Sequence, residues 1–182
     1  MKRHMKLITA VALISILIIL VGCYTTITGT VVDAETGKPI EGAVVLAEWT
    51  KRHGIGDYHT ESVKVVEVLS DKDGKVKISG IFDPFVDPPD VTVYKKGYVA
   101  WSNRSIFMDG GRDDFAWKNG YVFKLERFKP EYSYIKHDSF VRGSIHDNLG
   151  LDNKQLFMKL YDEGVRLNVI KEDKERLRES GQ

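Results

Sequence analysis

Between Thr25 and Arg127 the chain never sustains a helical apolar period. It breaks into short runs rich in valine, isoleucine, threonine and aromatics, separated by turn residues. Such runs favour pleated, half-buried backbone. They are Thr25 to Asp33, Gly42 to Thr50, Glu61 to Leu69, Lys75 to Ile81, Val91 to Lys95, Tyr98 to Phe107 and Tyr121 to Leu125. The breaks between them carry backbone chemistry. Ala34-Glu35-Thr36-Gly37-Lys38-Pro39 sets a glycine where φ must turn positive and a proline at the exit. Asp71-Lys72-Asp73-Gly74 is a tight hairpin turn. Seven short strands at this spacing predict an all-β, seven-stranded Greek-key β-sandwich of two packed sheets. The missing helices argue against a βαβ fold and its ligand crevice.

Ahead of the first strand the physics changes. Lys2, Arg3 and Lys6 are followed by Leu7 to Val21, polar only at Thr9 and Ser15, and then by Gly22 and Cys23. A charged start, a short apolar stretch and small residues at its end are the layout of a secretory signal, with the positive end left on the cytoplasmic side. Fifteen residues at ~1.5 Å each cover roughly 22 Å, short of the ~30 Å hydrocarbon core. A removable signal over residues 1–22 is therefore expected, with a retained single N-terminal transmembrane helix as the alternative. Leu20-Val21-Gly22-Cys23 resembles the lipobox of bacterial lipoproteins. The resemblance implies diacylglyceryl transfer to the Cys23 sulfur, cleavage before Cys23 and acylation of the new amino group. Cys23 is the only cysteine. That removes any intramolecular disulfide and any structural zinc site built on several cysteines.

The sandwich pattern also carries a resemblance. Ile27-Thr28-Gly29-Thr30-Val31-Val32-Asp33, then Thr36-Gly37-Lys38-Pro39-Ile40-Glu41-Gly42-Ala43-Val44-Val45, is similar to the start of carboxypeptidase regulatory-like domains. Ser70-Asp71, Gly74-Lys75-Val76 and Val93-Tyr94-Lys95-Lys96-Gly97-Tyr98 continue the match. The resemblance implies a prealbumin-like (transthyretin-like) sandwich over residues 23–128, of the kind carried by bacterial lipoproteins. It implies a fold and a location, and no reaction.

Charge narrows the function classes. The chain holds 27 Lys and Arg against 26 Asp and Glu. Three of the basic residues lie in the signal, which leaves the mature part near neutral, without the basic field of a nucleic-acid binder. No Ser-His-Asp order, phosphate-binding glycine loop or His-Glu-x-x-His occurs. The expectation is a non-enzyme with no cofactor.

Two loops hold the candidate site residues. His53, Asp57 and His59 lie between the second and third strands, and imidazole with carboxylate suits zinc. An exposed polar loop is the simpler reading. Phe115 and Trp117 follow the charged, glycine-rich segment Asp109 to Asp114. Aromatics on a sandwich loop can contact a glycan or peptide, and core packing is the competing role. Asp71-x-Asp73-Gly74 has only the opening spacing of a calcium loop, since position 82 is Phe82 where a bidentate Glu is needed. Arg142-Gly143-Ser144 matches part of the ending of the transthyretin-related hydroxyisourate hydrolases. It lies away from the C-terminus, and the expected strands hold no histidine, so the match is a coincidence of three residues. Asp83 to Asp90 is acidic and proline-rich, and it reads as a rigid crossover or as a docking edge presenting Phe85.

Residues 129–182 form a polar, helical C-terminal appendage. Glu131 to Gly150 shows no clear period. Asp152 with Gln155 makes a capping-box arrangement, Leu156/Leu160 and Phe157/Tyr161 are i, i+4 pairs, and Gly164 should end or weaken the helix. The chain is thus expected to be a lipid-anchored, extracytoplasmic module of the bacterial cell envelope. It would sit on the cell membrane or outer membrane and meet an envelope protein or glycan there. The rival readings are a metal-binding protein or hydrolase using His53, Asp57 and His59, and a glycan- or peptide-binding module using the 109–117 loop.

Overall fold

The computed structural model describes residues 26–54, 59–81, 83, 85–145 and 154–180. The signal, Cys23, Asp57 and Asp152 lie outside the described residues. Nine strands and two helices are present among those described: β1 Thr26–Asp33, β2 Val44–His53, β3 His59–Leu69, β4 Lys75–Ser79, β5 Asp90–Tyr94, β6 Trp101–Ser102, β7 Ser105–Ile106, β8 Gly110–Gly111, β9 Tyr121–Leu125, α1 Tyr134–Ser144 and α2 Gln155–Glu179.

The expected count of seven strands is corrected to nine. The single run Tyr98 to Phe107 divides into β6 and β7, and β7 pairs with β8 as a separate two-stranded ribbon. The division has a side-chain cause. Asn103 Oδ1 accepts from Val91 N at 2.8 Å, and the Arg112 guanidinium donates to Ser102 O at 2.7 Å. Both bonds use up backbone groups that a continuous ladder would need.

The two principal sheets are β4-β1-β9 and β3-β2-β5-β6. β1 pairs antiparallel with β4 and parallel with β9. Between the sheets lies a core of Ile27, Val31, Val45, Ala47, Trp49, Val76, Ile78, Val91, Val93, Trp101, Phe123 and Leu125. The alternation along β2 explains its place there, since Val45, Ala47 and Trp49 point into this core while Val44 and Leu46 point the other way. Gly29 is fixed by packing. A Cβ there would sit 2.6 Å from the Phe123 ring.

Register defines two poles. At the corner pole lie Asp33 and Tyr98, whose side chains are hydrogen-bonded, and Arg127. At the hairpin pole lie Thr26, opposite Ser79, and the end of the β2–β3 hairpin at His53 and His59. The hairpin is tied there by Lys64 Nζ, which donates to Gly80 O at 2.8 Å.

The second face of the four-stranded sheet is covered by both helices. Val44, Leu46, Tyr94 and Ala100 form one buried cluster with Val141, Ile145, Phe157, Tyr161 and Val165. The appendage is therefore a third layer of two helices, of 11 and 25 residues, rather than a short helix. Gly164 does not end α2. A Cβ at that position would collide with the Tyr94 hydroxyl, so glycine admits the ring against the helix. α2 starts at Gln155, and its preceding residue Lys154 makes no side-chain cap. Glu67 of β3 supplies one, accepting from Leu156 N at 3.1 Å and Phe157 N at 2.7 Å. Glu172 of α2 does the same for α1, accepting from Tyr134 N at 2.6 Å and from the Ser133 hydroxyl. Carboxylates at helix N-termini satisfy orphan amides and complement the helix dipole.

Candidate functional site

The two histidines of the first candidate group come together. His53 ends β2, His59 begins β3, and they are cross-strand partners. Their rings stack with centroids 5.2 Å apart and planes inclined by 17°. His53 Nε2 lies 3.0 Å from Glu61 Oε2, an ion-pair distance without hydrogen-bond alignment. The strands thus reach further than expected and do contain histidines. Among the described residues no group of three or more His, Cys, Asp or Glu side chains is placed to hold a metal ion. Asp71 acts as a turn residue, its carboxylate accepting from Asp73 N at 2.9 Å and Lys75 N at 2.8 Å.

Phe115 and Trp117 are half-buried over the open edge of the sandwich core. Trp117 meets Trp49 edge to face at 5.7 Å, and Phe115 meets Trp101 at 5.6 Å and Tyr121 at 5.0 Å. Arg112 stacks on the outer side of Trp101, 4.7 Å from its ring centroid. Each candidate ring therefore has one side committed to packing. Arg142, Gly143 and Ser144 lie on α1, where Arg142 pairs with Asp138 at 3.0 Å.

At the corner pole the sequence motif residues converge on one carboxylate. Asp33 Oδ1 accepts from Glu35 N at 3.0 Å and Thr36 N at 2.9 Å. Asp33 Oδ2 accepts from the Tyr98 hydroxyl at 3.1 Å and Arg127 Nε at 2.8 Å. The Thr36 amide leads in holding the Asp33 carboxyl well below the usual range, to about 2, aided by the Thr36 and Tyr98 hydroxyls and the Glu35 amide. The arrangement binds the end of β1 to both flanking connections. It leaves little accepting capacity for a ligand.

A second titratable centre was not singled out from the sequence. His137 of α1 is 1% exposed. Its Nε2 accepts from Ala100 N at 2.9 Å, which places the proton of the neutral ring on Nδ1. Phe107 and Phe128 each sit 5.3 Å from the ring, and Tyr161 6.1 Å. Burial lowers its pKa to about 4, against a small opposing effect from Asp138. A cavity of about 110 Å³ adjoins it, lined also by Tyr94, Tyr98, Phe128, Tyr134 and Asn168. Burial also raises the hydroxyls of Tyr94 and Tyr161 far above the ordinary tyrosine value. The sequence signal for α1 was partial: Ser133 as N-cap, with Tyr134 and Val141 on a face that the polar His137 and Ser144 interrupt.

A further charge pair lies beneath the helices. Lys154 Nζ is 2.9 Å from Glu48 Oε2, with side chains 0% and 1% exposed. Lys154 also donates to Ile145 O, which closes the gap between the end of α1 and the start of α2.

No family model and no curated protein matches this chain. Among solved structures it is similar to a streptococcal ancillary pilin, at 20% identity over 59% of this chain and 30% of that one, with a TM-score of 0.31. It is similar to the pilus 2b backbone protein of group B streptococcus, at 15% identity over 57% and 41%, TM-score 0.32. It is also similar to a 9R-lipoxygenase from Cyanothece, at 19% identity over 59% and 18%, TM-score 0.30. The chain spans less than half of each of these structures.

Proposed function

We propose that the chain is a lipid-anchored extracytoplasmic β-sandwich that serves the bacterial cell envelope as a non-catalytic structural or interaction module. The observation that carries this is Leu20-Val21-Gly22-Cys23 directly after an apolar stretch and three positions before β1. At ~3.6 Å per residue those three steps span about 11 Å, so acylation of Cys23 would hold the sandwich against the membrane surface. The family proposal is a carboxypeptidase regulatory-like domain with Greek-key, prealbumin-like connectivity. It is supported by the structural work of its motif residues: Gly29 against Phe123, Tyr98 on Asp33, and Gly37 and Gly74 at φ 68° and 71°. The partner class is an envelope protein or glycan.

The test is biosynthetic. Cells expressing the chain should incorporate radiolabelled palmitate into it, and globomycin or Cys23→Ser should leave the uncleaved precursor. A wild-type protein that takes up no label, with its mass unchanged by globomycin, overturns the anchor.

A further inference from the structure

The hairpin pole presents an exposed aromatic that neither the sandwich core nor the helical layer accounts for. Phe85 is 77% exposed. It is nonetheless held firmly. Asp83 Oδ1 accepts from Phe85 N at 2.9 Å, Asp87 N donates to Thr50 O at 3.0 Å, and Arg52 grips the Asp87 carboxylate through two bonds of 3.0 and 3.2 Å. A two-point guanidinium–carboxylate contact fixes orientation as well as distance. The loop carrying Phe85 is thereby latched to the β2–β3 hairpin. Lys51 stands beside the ring, its Nζ 5.9 Å from the centroid.

Chain length says what faces this pole. Thr26 pairs with Ser79, and Gly80 receives the Lys64 side chain from across the sandwich. Lys64 is the register partner of Trp49, so Trp49 lies at about the level of Thr26. β2 continues from Thr50 to His53 beyond that level. Four residues at ~3.3 Å each carry the hairpin about 13 Å further. The tether from Thr26 back to Cys23 is three residues, about 11 Å when extended. The hairpin thus projects as far as the tether can reach. A sandwich anchored through Cys23 therefore meets the surface with this pole. The exposed apolar residues Leu167 and Leu177 of α2 lie on the far side, because α2 runs from Glu67 past Tyr94 toward the corner pole.

We infer that the hairpin pole is a membrane-contact surface: Phe85 seats in the headgroup layer of the bilayer that holds Cys23, flanked by Lys51 and Arg52. An aromatic ring beside basic groups suits this layer, where apolar bodies sink and cationic tips stay wet. The charge at this pole is largely paired internally, Arg52 with Asp87 and Arg104 with Asp90. The contact is accordingly expected on zwitterionic and anionic headgroups alike. The inference rests on the acylation of Cys23 proposed above.

The test uses the full acylated chain reconstituted in nanodiscs of phosphatidylcholine and phosphatidylglycerol. Because Cys23 is the only native cysteine, a cysteine introduced elsewhere is the only free thiol of an acylated sample. Nitroxide is attached at Phe85→Cys, at Lys51→Cys (which keeps Phe85) and at Leu177→Cys. In the nanodiscs the first two labels should be far less accessible to a water-soluble nickel reagent than the label at 177, and more accessible to oxygen. Labels at 51 and 85 that stay as open to nickel as the one at 177, in a sample whose mass shows acylation, overturn the contact alone. A mass without acyl groups, or a Cys23 thiol that takes the label, overturns the anchor and the contact together.

Discussion

Replacing Lys154 by methionine tests how firmly the helical layer belongs to the sandwich. Lys154 Nζ lies 2.9 Å from Glu48 Oε2, and both side chains are sealed from solvent. Neither Glu48 oxygen has an aligned hydrogen-bond donor among the described residues, so the ammonium is its visible counter-charge. Methionine keeps the apolar stem and removes the charge, which leaves a buried carboxylate uncompensated. Breaking one side of a buried pair costs about 3–5 kcal/mol. Against a total of about 5–15 kcal/mol for a domain, that is a large share. For a chain of this length, roughly 2–4 °C per kcal/mol predicts a Tm lower by about 12 °C. The double variant Lys154→Met/Glu48→Leu removes both charges and should return to within about 1–2 kcal/mol of the wild type, since apolar replacements of buried pairs are commonly neutral or stabilising. Thermal and urea unfolding followed by circular dichroism at pH 7 measures all of these. A single variant within about 1 kcal/mol of wild type would refute the burial of the pair. A double variant as weak as the single one would show that the loss of Lys154 itself, with its packing and its bond to Ile145 O, and not the stranded charge, sets the cost.

Two further predictions concern the same layer. His137 has a folded pKa of about 4 against an ordinary 6.5, so between those values the unfolded chain binds a proton that the folded chain does not. Its contribution is intact above about pH 6.5 and is lost as pH falls toward 4, by about 1.4 kcal/mol per unit and about 3 kcal/mol in all. His137→Gln should flatten that part of the pH–stability profile, and equal slopes for the two proteins would contradict the assignment. Glu67→Gln weakens the cap on the first amides of α2 and should cost about 1 kcal/mol by urea unfolding. An unchanged midpoint would mean that the two amides are satisfied without the carboxylate.

The strands and turns that were legible are those whose cause is local. β1 ends at Asp33 as expected, because Thr36-Gly37 must turn there and Gly37 takes φ 68°. The Asp71 hairpin was readable for the same reason. β8 was not, since Gly110 and Gly111 have no side chains to alternate. α1 was missed because its buried face includes His137 and Ser144, which a hydrophobic template scores as polar. Glu48 is the sharpest case. On an alternating strand it belongs to the face opposite Trp49, which would be solvent in an uncovered sandwich. It is buried because Lys154, 106 positions away, arrives over it. At the candidate site, spacing alone brought His53 and His59 near each other, but their stacking depends on the strand register, which spacing does not set.

These long-range contacts decide what the helical layer is. If α1 and α2 were a detachable appendage, lifting them would expose Val44, Leu46, Tyr94 and Ala100, strand Glu48 without its counter-charge, and free the Ala100 amide from His137. The sheet face is therefore built to be covered, and the cover is held by Glu67, a strand residue that caps the helix above it. The two poles then differ in kind. The corner pole continues into helices that the sheet needs. The hairpin pole ends in a latched loop whose aromatic, Phe85, packs into neither the sandwich core nor the helical layer, and the membrane contact is proposed there because the tether from Cys23 reaches that pole.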